Sequence, residues 1–107
     1  MDKYNKIKKY NKLVRDKIPK IIKLDGKTPI THIAKETEYW LKLKEKLIEE
    51  VNEFIEDESK DEIADILEVV DAICKFKKYN KKEILKIQKD KRKERGSFNK
   101  RIILEKS

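Results

Sequence analysis

Apolar residues recur at intervals of three or four along most of the chain, which is the period of one face of an α-helix. The first long stripe predicts a helix over residues 36–57, and its members are Trp40, Leu43, Leu47, Val51, Phe54 and Ile55. The second predicts a helix over residues 60–78, and its members are Ile63, Ile66, Leu67, Val70, Ile73 and Cys74. A third predicted helix runs to about Arg95. The pattern therefore predicts an all-α fold in which neighbouring helices are antiparallel.

Polar residues at the expected helix ends support these bounds. Ser59 precedes the second long helix and has Glu62 three positions later, the arrangement of a capping box. Asn80 is a suitable N-cap for the third helix, and Gly96 can end it. For the helix over residues 36–57, residue 35 or 37 lies near the start, and neither is a decisive cap.

The N-terminal region predicts one further short helix. Pro19 suits a first turn, where its missing N–H costs nothing, and Asp16 is the expected cap. Gly26 ends this helix. We expect residues 1–9 to be frayed. Residues 29–34 and 101–104 alternate partly between apolar and polar, so they predict a minor two-stranded β ribbon.

The composition agrees with a single helical domain over residues 1–107. Of the 107 residues, 47% are charged and 37% hydrophobic, while Gly and Pro number only two each, too few for the turns of an all-β fold. The single cysteine excludes an internal disulfide and fits a reducing cytoplasm. No apolar run approaches the roughly 20 residues of a membrane span. We therefore expect a cytoplasmic protein without a membrane partner.

The charge balance admits several anionic partners. Lys and Arg number 29 against 21 Asp and Glu, a net charge of +8. Nucleic acid, an anionic membrane and phosphorylated small molecules all fit this charge. A lysine-rich proteome explains it equally well.

Carboxylates spaced three residues apart occur on both long predicted helices. Glu50 and Glu53 form one such pair, and Glu62 and Asp65 form the other. Residues three apart lie on the same face of a helix, so two antiparallel helices could bring four carboxylates together around a hard divalent cation. At about 100° per residue, Glu62 lies about 80° from an apolar stripe centred near residues 67 and 70, and Glu50 about 100° from its own stripe centre.

Two features of this pattern leave the interpretation open. Glu53 and Glu49 point nearer the outer face of their helix, so Glu53 would need another helix or subunit to cover it. A solvated acidic face is the alternative, with Lys46 pairing with Glu49 or Glu50 at the surface for a few tenths of a kcal/mol.

The sequence as a whole resembles a known family. The run from Glu49 to Asp65 is similar to the EExxE…ExxD pattern of the all-α nucleoside triphosphate pyrophosphohydrolases of the MazG superfamily. Residues 10–19 (YNKLVRDKIP) and 91–98 (KRKERGSF) resemble its small phosphoribosyl-ATP pyrophosphohydrolase-like branch. The resemblance extends from about residue 10 to 105.

This resemblance implies an activity, a cofactor and an assembly. A nucleoside triphosphate would be hydrolysed between its α- and β-phosphates, in the house-cleaning of non-standard nucleotides, by a homodimer or higher oligomer that completes the helical bundle. Mg²⁺, or Mn²⁺ in its place, would be held by Glu50, Glu53, Glu62 and Asp65. Glu49 or Glu53 would orient or deprotonate the attacking water. The residues implied to bind the substrate phosphates are Lys12, Arg15, Lys17, Lys91 and Arg95.

Three alternatives remain at this point. Hydrolysis of phosphoribosyl-ATP in histidine synthesis is chemically close to the main prediction. A basic helical module that binds nucleic acid is disfavoured, because the carboxylates lie within the helices that would face phosphates. A partner protein in a toxin–antitoxin or phage-defence system would keep the fold without depending on the enzyme activity.

Overall fold

Four α-helices make up the regular structure of residues 10–107. The computed structural model describes residues 10–107, and within that range it contains no strand. The helices are α1 (Ile18–Leu24), α2 (Glu36–Asp57), α3 (Lys60–Lys77) and α4 (Lys81–Arg95). The predicted bounds of the three long helices are confirmed to within one residue, whereas the expected fraying of residues 1–9 lies outside the described residues. No described helix is long and apolar enough to cross a membrane.

Side-chain caps define the starts of α3 and α4. Ser59 Oγ accepts a hydrogen bond from the backbone N–H of Glu62 at 3.3 Å. Asn80 Oδ1 accepts from the N–H groups of Lys82 and Glu83 at 2.8 and 3.3 Å. Gly96 follows α4 with a φ of 89°, a backbone conformation that favours glycine. These caps confirm the predicted ends, because each one satisfies backbone groups that the helix itself leaves unpaired.

The predicted cap of α1 is wrong. The N-cap position is Lys17, and it makes no side-chain capping hydrogen bond. Asp16 lies one residue too early, in a turn closed by the N–H of Ile18 donating to the carbonyl of Arg15 at 3.0 Å. The expectation for Pro19 is confirmed, because it occupies the first turn of α1.

The predicted β ribbon is also wrong. Neither residues 29–34 nor residues 101–104 form a strand. Ile33 and Ile103 are both exposed, so neither segment has a buried face to stabilise it. Arg101 has a φ of 55°, which an extended strand does not allow. A two-stranded pairing without a packed face is marginal in water, and partial alternation is too weak a signal to overcome that cost.

The chain divides into two compact units, and the division falls inside α3. The first unit ends at Ile73 and contains α1, α2 and most of α3. The second begins at Cys74 and contains the end of α3, α4 and the C-terminal segment. Cys74 is buried, which confirms its expected place in the packed part of α3. The single-domain organisation of the chain stays a prediction.

The buried face of α3 differs from the predicted one. Val69 is buried, whereas Leu67 is 59% exposed and Val70 is 37% exposed. Glu62 lies seven residues from Val69, so the two share a face to within about 20°. The expectation that placed Glu62 about 80° from the stripe centre is therefore wrong. The reason is that apolar residues cover two faces of α3. The face of Val69 is buried, whereas the face of Leu67 is buried at Cys74 but exposed at Leu67 itself.

Candidate metal centre

Four carboxylates from α2 and α3 meet at one place in the first unit. Glu50 and Glu53 of α2 and Glu62 and Asp65 of α3 each contribute an oxygen atom, and these four atoms lie within 4.8 Å of one another. A continuous helix would separate Glu50 from Glu62 by about 18 Å. The two-residue connection between the helices must therefore fold α3 back along α2. Glu58 in this connection has a φ of 54°, a left-handed conformation that ends α2 abruptly.

Glu50 is the most buried member of this carboxylate cluster. It is only 5% exposed, although the apolar pattern predicted a position at the border of the buried face. Its Oε1 atom lies 3.2 Å from the ammonium of Lys46. Its Oε2 atom is inaccessible and has no hydrogen-bond partner among the described residues, and the same holds for Oε2 of Glu62. Buried carboxylate oxygens are normally paired, so a cluster with two such oxygens has the chemistry to hold a cation.

Burial and neighbouring carboxylates disfavour the ionised forms of two members of the cluster, Glu50 and Glu62. Burial raises the pKa of Glu50, and neighbouring Glu53 raises it further, while the contact with Lys46 acts in the opposite direction without cancelling the shift. Burial also raises the pKa of Glu62, and the negative charges of Asp65 and Glu50 add to that shift. Further positive charge beside Glu50 and Glu62 would lower both pKa values, and a divalent cation would supply it.

Replacing Glu62 with glutamine is expected to stabilise the cation-free protein. Because the pKa of Glu62 is raised above its ordinary value of 4.5, its ionised form destabilises the fold. The protonated form of Glu62 is favoured by the fold. Its contribution to stability is fully present below pH 4.5 and is lost as pH rises through the folded-state pKa. Glutamine cannot ionise, so in EDTA the melting temperature of Glu62→Gln should exceed that of wild type at pH 7. The difference should shrink as pH falls towards 4.

Magnesium should reverse this order. The wild-type melting temperature should rise with added Mg²⁺, because a cation that binds only the folded state stabilises it by mass action. Glu62→Gln should gain much less. Thermal melts at both pH values, with and without Mg²⁺, test both statements. A Glu62→Gln protein that is less stable than wild type in EDTA at pH 7 would contradict the electrostatic account of the cluster.

Basic side chains surround the cluster. Arg15 Nη2 lies 2.7 Å from Oδ1 of Asp65, which is the shortest of these contacts. Lys12 and Lys46 both reach Oε2 of Glu49, at 3.5 and 3.0 Å. Lys12 and Arg15, which the family resemblance assigns to phosphates, therefore pair here with carboxylates. The segment before α1 is consequently placed directly against the acidic groups of α2 and α3.

Glu49 differs from the four clustered carboxylates. It is not a member of the set within 4.8 Å. Burial acts to raise the pKa of Glu49, but the hydrogen bond and charge of Lys46, together with Lys12, outweigh burial and hold that pKa below its ordinary value. Glu49 is thus kept ionised beside the cluster, where it can accept a hydrogen bond.

Three residues that the resemblance assigns to the substrate phosphates are exposed side chains at α1 and on α4. Lys17 is exposed at the N-cap position of α1. Lys91 and Arg95 are exposed on α4, in the second unit. Their roles in phosphate binding stay predictions. Glu53 is exposed, and no other described helix buries it, although its carboxylate belongs to the set.

Lys46 is more buried than the sequence predicted. The predicted pairing with Glu49 or Glu50 is confirmed, because the ammonium of Lys46 contacts both carboxylates, but its side chain is only 16% exposed and not at the surface. The spacing indicates that Lys46 can reach both carboxylates, because it precedes Glu49 by three residues and Glu50 by four. Burial opposes a charged lysine, yet the two carboxylates outweigh burial and raise the pKa of Lys46.

Comparisons with known proteins leave the family open. No family model matches the chain. No solved structure gives a significant match. A protein of Mycolicibacterium smegmatis, described only as uncharacterized, is 49% identical to it over 41 residues. That match covers 38% of this chain and 42% of the relative, so the chain spans less than half the length of that protein.

Proposed function

We propose that this protein is a Mg²⁺-dependent nucleoside triphosphate pyrophosphohydrolase of the MazG superfamily. One observation carries the proposal. The buried Oε2 atom of Glu50 has no hydrogen-bond partner in the part of the chain that the structure describes, and Glu50 belongs to a set of four carboxylates whose oxygens lie within 4.8 Å. The sequence pattern that resembles this superfamily supplies the same four residues. The substrate class follows from the resemblance and from the basic side chains beside the set.

The cluster has the size and chemistry of a site for a hexacoordinate divalent cation. Mg²⁺ binds oxygen ligands at 2.0–2.1 Å, so two ligands on opposite sides of the ion are about 4.2 Å apart. Oxygens within 4.8 Å of one another reach that spacing with small side-chain adjustments. The residues that would hold the ion are Glu50, Glu53, Glu62 and Asp65. Bound there, Mg²⁺ would lower the pKa of a water molecule and neutralise charge on the substrate phosphates.

The protein's own side chains account for the other requirements of the reaction. Glu49, kept ionised by Lys12 and Lys46, orients the attacking water by accepting a hydrogen bond from it. Arg15 exchanges its contact with Asp65 for the phosphate oxygens when the substrate binds. A guanidinium binds a phosphate as well as it binds a carboxylate, through charge-assisted hydrogen bonds that strengthen as negative charge develops.

Association of identical chains completes the bundle in this proposal. α2 and α3 expose large apolar side chains on the faces that the chain leaves uncovered: Leu41, Ile48, Ile55, Ile63 and Leu67. On α2, three of these residues are seven apart, the repeat of helices that pack along one another. A second copy presents the same two stripes, so the helix pairs of two chains bury each other's apolar faces in a four-helix core.

A pyrophosphate-release assay tests the activity. The substrates are the standard ribo- and deoxyribonucleoside triphosphates, their oxidised and deaminated forms, and phosphoribosyl-ATP, each with Mg²⁺, Mn²⁺ or EDTA. We expect at least one of them to yield pyrophosphate and its monophosphate in equal amounts, and only when metal is present. Absence of turnover across the whole panel under both metals would refute the proposal.

A further inference from the structure

Lys46 is placed between two carboxylates with different roles. It lies on α2, and its ammonium is 3.0 Å from Oε2 of Glu49 and 3.2 Å from Oε1 of Glu50. A surface lysine normally extends its ammonium into water. Here the side chain is 16% exposed and ends at the two carboxylates. Restricting a lysine side chain in this way costs conformational entropy, so the contacts must compensate for it.

The two oxygens of Glu50 have different surroundings because of this contact. Oε1 contacts Lys46, whereas Oε2 is buried and has no hydrogen-bond partner within residues 10–107. Glu50 contributes one of its two oxygens to the four-carboxylate set. A carboxylate is planar, so fixing one oxygen restricts where the other can lie. Lys46 therefore controls which oxygen of Glu50 is free for a cation.

We propose that Lys46 is a positioning residue of the candidate metal centre, which orients Glu50 so that its Oε2 atom is presented to the cation and holds Glu49 alongside. This inference rests on the metal centre of the proposed function. Ligands of a metal are commonly oriented by such outer partners, whose loss weakens metal affinity about 10–100-fold.

Because Lys46 is charged, the direction in which metal affinity changes when it is removed tests the inference. A nearby ammonium repels a divalent cation, so if Lys46 acted only through charge, its removal would tighten metal binding. If Lys46 acts by positioning, its removal weakens binding, because Glu50 is then free to rotate away. The two effects predict opposite changes in the same measured constant.

Lys42 offers a matched control on the same helix. It lies one turn before Lys46, its ammonium is 3.1 Å from Oε1 of Glu45, and its side chain is 21% exposed. Neither Lys42 nor Glu45 belongs to the four-carboxylate set. Lys42→Met therefore removes a similarly buried, similarly paired lysine without touching the candidate ligands.

The experiment measures Mg²⁺ affinity by calorimetry and Mn²⁺ binding by electron paramagnetic resonance, for wild type, Lys46→Met, Lys46→Arg and Lys42→Met. We expect Lys46→Met to bind both ions about 10–100-fold more weakly and to change the Mn²⁺ spectrum. Lys46→Arg, which keeps the charge and the donors, should recover most of that loss. Lys42→Met should match wild type.

The outcomes separate the inference from the proposed function. Wild-type Mn²⁺ binding together with unchanged or tighter binding by Lys46→Met would overturn the inference and leave the metal centre standing. A wild type that binds neither ion would overturn both. If Lys46→Met loses its helical circular dichroism, Lys46→Gln replaces it, and the same weakening supports the inference while undiminished affinity overturns it.

Discussion

Glu50→Gln is expected to slow Mg²⁺-dependent pyrophosphate release on the order of 10³-fold, equivalent to about 4 kcal/mol of transition-state stabilisation. Glutamine keeps the shape of the side chain but removes the negative charge of the buried carboxylate. Asp65→Asn should have an effect of the same order, because Asp65 is the partner of Arg15 as well as a candidate ligand. Steady-state assays on the best substrate of the panel measure both changes.

Glu45→Gln is the matched control for these variants. Glu45 lies on α2, pairs with Lys42 at 3.1 Å and stands outside the four-carboxylate set. Its replacement should leave turnover unchanged. Far-ultraviolet circular dichroism should show that all three variants stay helical. Wild-type turnover in a helical Glu50→Gln or Asp65→Asn protein would remove that residue from the ligand set.

The second large effect is expected on the association of identical chains. Wild type should sediment with at least twice the 12.9 kDa mass of one chain. Leu67→Lys and Ile48→Lys should each sediment as a single chain, because both positions belong to the exposed apolar faces that a second copy would cover. Enclosing an unpaired ammonium in an apolar interface costs several kcal/mol, enough to dissociate it.

Glu68→Gln provides the control for this measurement. Glu68 is next to Leu67 on α3 and is exposed, and its replacement changes the net charge by the same amount as Leu67→Lys. Glu68→Gln should keep the wild-type mass in sedimentation velocity and light scattering. A wild type of 12.9 kDa at all concentrations would show that the exposed stripes serve another purpose.

The helix bounds could be predicted because the signals that set them are local. Ser59 and Asn80 each hydrogen-bond to backbone groups two or three residues ahead, so a few adjacent letters specify the end of a helix. Asp16 shows how narrow this signal is. It is a suitable capping residue, but the helix begins one position too late for it to act.

The buried face of α3 could not be predicted in the same way. Ile63, Leu67 and Val70 are as apolar as Val69, and nothing local indicates which of them the chain covers. The choice depends on contacts with residues distant in sequence. Glu62 shares a face with Val69. Because the prediction chose a different face as the buried one, it also placed Glu62 away from the buried side.

The candidate site could be predicted only in part, because some of its contacts join residues that are distant in sequence. Spacing identified the four clustered carboxylates as a possible set, and the structure brings them within 4.8 Å. Spacing did not reveal that Arg15 reaches Asp65, a contact between residues 50 apart. Nor did it reveal the burial of Lys46, which depends on how closely the helices approach.

The connection between α2 and α3 has only two residues, Glu58 and Ser59, and this shortness has an evolutionary consequence. With so short a connection, an added or lost residue would be taken up by α3 itself and would turn its side chains by about 100° about the helix axis, carrying Glu62 and Asp65 away from their partners. Loops elsewhere tolerate such changes in length well. In this hairpin, insertions and deletions should therefore be selected against as strongly as changes to the acidic residues themselves.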